Sequence, residues 1–365
     1  MSATIFLWDN LGPPHYDRLE SAQMYFGPDR KVIGAEIFGD SNEYDWKKGA
    51  GDSARVVTLF EERSAFGTLS FLKKLAGLVR RAKARHVFVC NYDRGYILLA
   101  AALLRLMGRR VYLMIDSKFD DKPRQLSREI LKAIYLLPYN GVLAASDRSQ
   151  DYLRFLGFRS EQIRAGYDTI DVARLRAQCS FSVPAFAERP FVIVARLVAK
   201  KNIHTALRAF ALAFRQTRER RLKICGSGPL LEELKALAAE LGIADLVEFT
   251  GFLQTEAISD AVGQSLALVL PSTEEQFGQV VAEAVALSIP VMVSLACGAR
   301  DELVRNGVNG FIFEPTNVEG LAYLMKLIAR DELLWREMAE NSKSFLPLAD
   351  SARFAEAAAK FVQME

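Results

Sequence analysis

Short apolar runs alternate with stretches of helical periodicity along almost the whole chain. Runs of strand length occur at Thr4–Trp8, Lys31–Phe38, Arg55–Phe60, His86–Cys90, Val111–Ile115 and Gly141–Ala144. Between them, Leu69–Ala84, Tyr96–Met107, Arg124–Leu137 and Ser149–Leu156 repeat apolar residues at the spacing that gives a helix one apolar face. Strands that are apolar on both sides and alternate with helices predict a parallel sheet covered on both faces. The alternation starts again after about residue 185, with strands predicted at Phe191–Ala195, Leu222–Cys225, Leu246–Phe249, Leu266–Leu270, Val291–Val293 and Phe311–Phe313. Pro184 and Pro190 interrupt the pattern and place the domain boundary within Tyr167–Arg189. The expectation is an α/β chain of two doubly wound, Rossmann-like domains facing a cleft. They span residues 1–170 and 171–348, with an amphipathic helix at Ala352–Phe361 in a tail of residues 349–365. In such sheets ligands bind beyond the carboxyl ends of the strands, so the strand-to-helix turns hold the candidate chemistry.

The turn that draws most attention is in Pro271–Pro290, PSTEEQFGQVVAEAVALSIP. An apolar run ends in small polar residues, and Glu275 and Phe277-Gly278 follow before the helix-period stretch QVVAEAVAL. A helix N-terminus in that position offers backbone N–H groups and the positive end of a dipole to an anion. Gly278 lets a ligand approach the backbone closely. Glu283 lies about two turns into the predicted helix among Val280, Val281, Ala282, Ala284, Val285 and Leu287. A carboxylate in so apolar a setting calls for a hydrogen-bonding partner, unless it lies on the one solvated stripe of an ordinary helix. At ~1.5 Å per helical residue, Glu275 and Glu283 are on the order of 10 Å apart. That suits one elongated ligand with hydroxyls at both ends and a phosphate between them.

Composition narrows the class. The chain has 365 residues, half hydrophobic and a quarter charged, as expected of a globular protein with good cores. A net charge of +3 is too balanced to argue for nucleic acid. Cys90, Cys179, Cys225 and Cys297 form no C-x-x-C pair, and His15, His86 and His204 are far apart in sequence, so neither a disulfide framework nor a metal site is expected. MSATIFLWDN lacks a basic n-region, and the longest apolar run, Ile97–Leu104, is too short to span a bilayer. The expected location is cytoplasmic. Lys73–Arg85, KKLAGLVRRAKAR, is a basic amphipathic helix, read either as a solvated face or as a peripheral contact with anionic lipid headgroups.

Other strand ends carry further candidates. Arg196 and Lys201 lie in ARLVAKKN, which follows a strand and opens a helix. Helix N-termini disfavour cations, so a bound anion would account for them. A bidentate Arg and a point-charge Lys can stabilise a diphosphate leaving group without metal. Cys225-Gly226-Ser227-Gly228-Pro229 ends another strand, though a tight turn with Pro229 starting a helix also explains it. In the first domain Asp9–His15 follows the first strand, with Gly12 and His15 as candidates. Tyr92, Asp93 and Arg94 follow a later strand, and Asp116, Ser117 and Lys118 the next. Asp116 is read as a sugar-hydroxyl ligand, a participant in handling the acceptor proton, or a helix N-cap. Asp120 and Asp121 with Lys122, Arg124 and Arg128 are read as surface pairs or as acceptor recognition.

Taken together, Glu275, the seven residues to Glu283, Phe277-Gly278 and Pro290-Val291 resemble the E-x7-E motif of retaining glycosyltransferases of family 4, which have the GT-B architecture. Arg196–Lys201 resembles that family's R-L-x-x-x-K segment. Gly226–Pro229, Phe249–Leu253 and Gly298–Phe311 resemble its later patterns in the same order. The resemblance implies a donor site of Gly12, Arg196, Lys201, Gly226, Gly228, Phe252, Leu253, Glu275, Phe277, Gly278, Gln279 and Glu283. Glu275, Arg196, Lys201 and Asp116 are the implied catalytic set, and His15, Tyr92, Asp93, Arg94 and Lys118 the acceptor candidates. Glu275 and the Phe277–Gln279 backbone would hold the sugar, Arg196 and Lys201 the diphosphate, and Glu283 the ribose. The family usually carries a histidine where this chain has Asp116, and a glycine pair where it has Gly12 alone. The resemblance also implies that the last helix crosses back onto the first domain.

The implied function is metal-independent transfer of a sugar from a nucleoside diphosphate sugar to a glycan or lipid-linked glycan, with no cofactor and no nucleic-acid partner. A nucleotide-sugar 2-epimerase of the same fold and a non-catalytic nucleotide-sugar- or glycan-binding subunit are the alternatives. Base, sugar, acceptor and linkage are not encoded in any motif here.

Overall fold

The computed structural model of the protein describes residues 3–39, 56–179 and 184–363. The chain divides into two compact units. The first comprises residues 1–171 and 350–365, and the second residues 172–349.

The strands of the first unit are β1 (Ala3–Trp8), β2 (Lys31–Phe38), β3 (Val56–Phe60), β4 (His86–Val89), β5 (Arg110–Ile115), β6 (Gly141–Ala144) and β7 (Ile163–Ala165). They form one parallel sheet in the order β3-β2-β1-β4-β5-β6-β7. Its helices in chain order are α1 (Pro13–Phe26), α2 (Thr68–Arg81), α3 (Gly95–Leu106), α4 (Leu126–Tyr135) and α5 (Asp147–Phe155). Strand β7 escapes the apolar pattern because it has three residues with Arg164 at its centre. Helix α1 is not among the helices predicted from periodicity. Gly12 is its extended N-cap and Pro13 its first residue, where a missing N–H is harmless.

The second unit repeats the principle. Strands β8 (Phe191–Val194), β9 (Leu222–Cys225), β10 (Val247–Gly251), β11 (Ala267–Leu270), β12 (Val291–Ser294) and β13 (Gly310–Phe313) form a parallel sheet in the order β10-β9-β8-β11-β12-β13. The helices around it are α6 (Val172–Gln178), α7 (Ile203–Phe214), α8 (Leu231–Glu240), α9 (Thr255–Gly263), α10 (Gln279–Ala286), α11 (Arg300–Leu303), α12 (Val318–Arg330), α13 (Glu332–Asn341) and α14 (Leu346–Ala349). In each sheet the chain reverses direction beside the first strand, β1 or β8, which creates a crevice at its carboxyl end.

The last helix, α15 (Ser351–Gln363), is part of the first unit and packs on α1. The reason is a ladder of aromatic rings on one face of the first sheet. Phe6, Phe88 and Tyr112 are register partners on β1, β4 and β5, and their ring centroids stack 4.7 Å apart at each step. Phe361 continues the stack at 4.8 Å from Tyr112, and Phe354 meets Phe6 at 5.1 Å. Tyr112 Oη donates to the Phe361 carbonyl at 3.2 Å. The opposite face of the same strands carries Ile5, Leu7, Val87, Val89, Val111 and Leu113 in the main core.

Helix α2 covers much of the basic segment noted in the sequence. Phe71, Leu75, Leu78 and Val79 are buried, while Lys73, Lys74, Arg80 and Arg81 are exposed. Among the described residues no helix is long and apolar enough to cross a membrane.

The aromatic ladder gives a direct stability expectation. Phe88 is fully buried between two rings, so Phe88→Ala is expected to lower unfolding stability by about 3–5 kcal/mol in chemical denaturation. A loss under 1 kcal/mol would show that the ladder does not join α15 to the sheet.

Candidate functional site

In the second unit, four strand-to-helix turns pack backbone against backbone. After β8, Ala195 N donates to the Cys225 carbonyl at 3.0 Å and Leu197 N to the Ser227 carbonyl at 2.8 Å, which brackets Arg196. Gly226 and Gly228 have φ of +148° and +157°, and a Cβ on them would lie 1.9 Å from Ala195 O and 2.5 Å from Leu197 O. These glycines are therefore required by the approach of one turn to the next, whatever else they serve.

The chain then makes one 3-10 turn, Ala199–Lys201, and Asn202 adopts a left-handed conformation with φ +52°. Asn202 Nδ2 donates to the Pro271 carbonyl at 3.0 Å and the Pro315 carbonyl at 2.7 Å, and its Oδ1 accepts from Thr205 Oγ1 at 3.0 Å. This side chain ties the start of α7 to the end of β11. Thr273 N also donates to the Lys200 carbonyl at 2.8 Å. The result is that Lys201 Nζ donates to Glu275 Oε2 at 2.5 Å, in a pair mostly shielded from solvent. Ser272 Oγ donates to the same oxygen at 3.0 Å. Both bonds fall on Oε2 and neither on Oε1.

The turn after β12 supports Glu275 from behind. Gly298 N donates to the Glu275 carbonyl at 3.2 Å, Ala299 N to the Phe277 carbonyl at 2.8 Å, and Cys297 Sγ to the Phe277 carbonyl at 3.0 Å. A Cβ on Gly298 would lie 1.9 Å from Gln276 O. Gly278 caps α10 with φ +98°. The first N–H groups of α10 therefore point out beyond β11, where an α-helix leaves them without helical partners. Glu283 lies just over one turn inside α10, counted from Gln279, and so closer to its N-terminus than the two turns read from the sequence. Its side chain is half-buried. Phe252 and Leu253 follow β10, whose last residue Gly251 accepts a bond from Gly226 N at 2.8 Å. The structure thus gathers Arg196, Lys201, Gly226, Gly228, Glu275, Phe277 and Gly278 at neighbouring strand ends of one sheet.

The first unit has its own polar rim. Arg94 Nη2 pairs with Asp9 Oδ2 at 2.9 Å, and Arg94 Nη1 donates to Tyr96 Oη at 2.7 Å. These join the ends of β1 and β4. Burial, with Asp9 and Asp116 nearby, pushes the Cys90 thiol well up. Burial also raises Tyr92, against a hydrogen bond with Ser117. Asp93 is exposed. Asp116 follows β5 and its carbonyl accepts from Ser149 Oγ at 3.0 Å. It caps no helix: the next turn, Phe119–Asp121, is capped by Lys118, and α4 begins at Leu126. Lys118, an acceptor candidate in the sequence, has a buried side chain paired with Asp121. Asp120 pairs with Arg148, and Arg124 with Glu129, in place of the surface pairing read from the sequence.

Two further carboxylates, Glu36 buried and Asp168 half-buried, were given no role in the sequence reading. Glu36, on β2, accepts from Leu11 N at 3.0 Å and Thr58 Oγ1 at 2.7 Å, and so fixes the Asp9–Gly12 loop. The signal was present, a lone charge in the otherwise apolar run KVIGAEIF. Asp168 pairs with Arg18 at 3.0 Å, and Arg18 Nε also donates to the Thr169 carbonyl at 3.2 Å. Burial raises the Asp168 carboxyl, with Arg18 opposing it.

Gly12 and His15 form a cap. Gly12 N donates to His15 Nδ1 at 2.9 Å, and the imidazole packs edge-on to Trp8 with centroids 5.0 Å apart. Burial first, then the charge of Arg18, lowers its pKa from 6.5 to about 3. The neutral ring therefore contributes stability that is complete above about pH 6.5 and is lost as pH falls towards 3. We expect NMR to show His15 as the Nε2–H tautomer with no titration between pH 8 and 5. A midpoint near 6.5 would overturn the cap assignment.

Among the described residues, no group of three or more His, Cys, Asp or Glu side chains is placed to share a metal ion. Residues 182–345 match the family Glycosyl transferases group 1, within the second unit. Alpha-D-kanosaminyltransferase of Streptomyces kanamyceticus is 30% identical over 156 residues, covering 42% of this chain and 40% of that protein. D-inositol 3-phosphate glycosyltransferase of Streptomyces griseus is 33% identical over 172 residues, covering 45% and 36%. The matches thus span well under half the length of these curated relatives. Likeness of fold extends over the whole chain. HepE from Anabaena, solved in complex with UDP, has a TM-score of 0.74 at 18% identity, covering 100% of both chains. Sucrose-phosphate synthase from Thermosynechococcus elongatus has a TM-score of 0.76 at 18% identity, covering 100% of this chain and 98% of that one. The chain therefore has the GT-B fold, two Rossmann-like parallel-sheet units, and residues 182–345 of its second unit are similar to the Glycosyl transferases group 1 family.

Proposed function

We propose that the protein is a retaining, metal-independent glycosyltransferase that moves a sugar from a nucleoside diphosphate donor to a hydroxyl of a glycan or lipid-linked glycan. The observation that carries this reading is the Lys201–Glu275 pair beside the N-terminus of α10, within the family-matching segment. A cation and a carboxylate are held together where helix dipole and backbone N–H groups favour an anion.

In this reading the donor diphosphate lies against Arg196, Lys201 and the first N–H groups of α10. Lys201 is anchored on Oε2 of Glu275, which leaves Oε1 to accept from a sugar hydroxyl. Glu283 accepts from the ribose hydroxyls. As the anomeric C–O bond breaks, negative charge grows on the departing diphosphate, and the fixed cations stabilise it more than they stabilise the ground state. The acceptor oxygen attacks from the face of the leaving group, and its proton passes to the departing phosphate. Asp116, Tyr92 and Arg94 at the strand ends of the first unit are the candidates for the acceptor side.

Calorimetric titration with UDP, GDP, ADP and dTDP in chelator tests the donor class. One nucleotide is expected to bind clearly more tightly than the others, and Glu283→Ala to weaken it at least tenfold, about 1.4 kcal/mol. Absence of binding to all four would remove the basis of the proposal. In turnover assays at saturating donor, Arg196→Ala is expected to lower the rate about 10²-fold or more. Unchanged turnover would exclude the diphosphate role. Isomerised donor formed without acceptor would instead identify an epimerase.

A further inference from the structure

Helix α4 turns its polar side inward. Its only buried residue is a carboxylate, Glu129. Glu129 accepts from Tyr152 Oη at 2.5 Å and from Lys132 Nζ at 3.0 Å. Lys132 Nζ and Arg124 Nη1 also donate to that tyrosine hydroxyl, at 2.8 Å and 3.0 Å. These bonds hold α4 to α5 in one orientation. The aliphatic side is left facing outward: Leu126 is 71% exposed, Ile130 56%, Leu131 52%, Ile134 56% and, just past the helix, Leu137 77%. Leu126, Ile130, Ile134 and Leu137 follow one another at intervals of four, four and three residues and form one stripe.

The area and the symmetry of this stripe indicate what covers it. At such exposures each of the five side chains presents on the order of 100 Å², so that two copies together would remove about 1,000 Å² from water, the size that a specific protein interface has to reach. The spacing reads nearly the same from either end. Two α4 helices laid antiparallel about a two-fold axis beside residue 132 place Ile130 against Ile134 of the second copy and Leu126 against Leu137 of the second copy. Each contact then occurs twice, as an isologous interface requires.

Charge does not oppose this pairing. Glu129 and Lys132 are turned towards Tyr152, away from the stripe. Arg128 is exposed, but it lies about 200° around the helix from Leu126, on the flank of the stripe. In the antiparallel pair it comes beside the last turn of the other α4, where unpaired carbonyls favour a cation. An apolar centre free of charge is what sets the core of an interface apart from other surface.

We propose that α4 is the centre of a two-fold homodimer interface, in which the stripe Leu126–Ile130–Ile134–Leu137 packs antiparallel on the same stripe of a second copy. The inference goes beyond the sugar-transfer reading and does not depend on it.

The test is sedimentation equilibrium of the full chain over a micromolar concentration range. Wild type is expected to have twice the mass of the chain. The double variant Ile130→Glu/Ile134→Glu is expected to raise the dimer dissociation constant at least tenfold while keeping its far-UV circular dichroism, since both side chains are exposed. Leu106→Glu, on α3 and 87% exposed, is expected to leave the dimer unchanged. An equimolar mixture of Ile130→Cys and Ile134→Cys chains is expected to crosslink on oxidation several-fold more than either variant alone. The proposal fails if wild type is monomeric throughout, if the double variant dimerises as wild type does, or if Leu106→Glu dissociates the dimer equally. Crosslinking of the single variants as strongly as the mixture would overturn the antiparallel register. A monomeric wild type that instead sediments with lipid vesicles, and no longer does so in the double variant, would assign the stripe to a membrane surface and overturn the dimer.

Discussion

The close approach of backbone to backbone at the carboxyl edge of the second sheet is the constraint on which the candidate site depends. A Cβ at Gly226 or Gly298 would lie 1.9 Å from a carbonyl oxygen of the neighbouring turn. No rotamer change relieves such a contact, because both partners are main chain. With the turns this close, hydrogen bonds run directly from Leu197 to Ser227 and from Ala299 to Phe277. Arg196 and Glu275 are then borne on backbone fixed from two sides, and Asn202 adds a side-chain tie between α7 and β11. Groups held in this way need little reorganisation when a charged ligand arrives, which is what electrostatic stabilisation of a leaving group requires.

The first unit solves its problem differently, with buried charge in place of close backbone. Glu36 reaches from β2 to the amide of Leu11, and Arg18 binds Asp168 and the Thr169 carbonyl at the end of the unit's first segment. Asp17 accepts from Asp171 N at 3.0 Å, and Ser351 N donates to the Ile170 carbonyl at 2.7 Å. The chain thus leaves and re-enters this unit at points bonded to α1 or to each other. Buried ion pairs add little net stability but are strongly destabilising to break, so they favour one arrangement of these segments over others.

Helix α4 shows how far a local pattern and its tertiary use can differ. Glu129 carries the combined influence of burial, which raises its pKa, and the stronger opposing bonds from Tyr152 and Lys132, which hold it below the ordinary carboxylate range. The bonds from Tyr152 and Lys132 hold Glu129 inward, and Leu126, Ile130 and Ile134 lie on the exposed side of α4.

By itself the sequence determined the alternation of strands and helices, because the apolar runs of parallel strands are continuous and the helices have a distinct period. It also displayed the charged and glycine residues at the turns after β8, β9 and β11, since strand ends in such sheets are readable as interruptions of apolar runs. The short strand β7 with its central arginine, and the start of α1 at Pro13, were not legible, because their residues carry no periodic signal. Only tertiary structure decided that Lys201 meets Glu275 across 74 positions of chain, that His15 closes its own helix, and that Lys118 is buried on Asp121. It alone decided which face of α4 is inward. Periodicity fixes that a helix has two faces, but the face that is buried depends on the hydrogen-bonding partners which other segments bring to it.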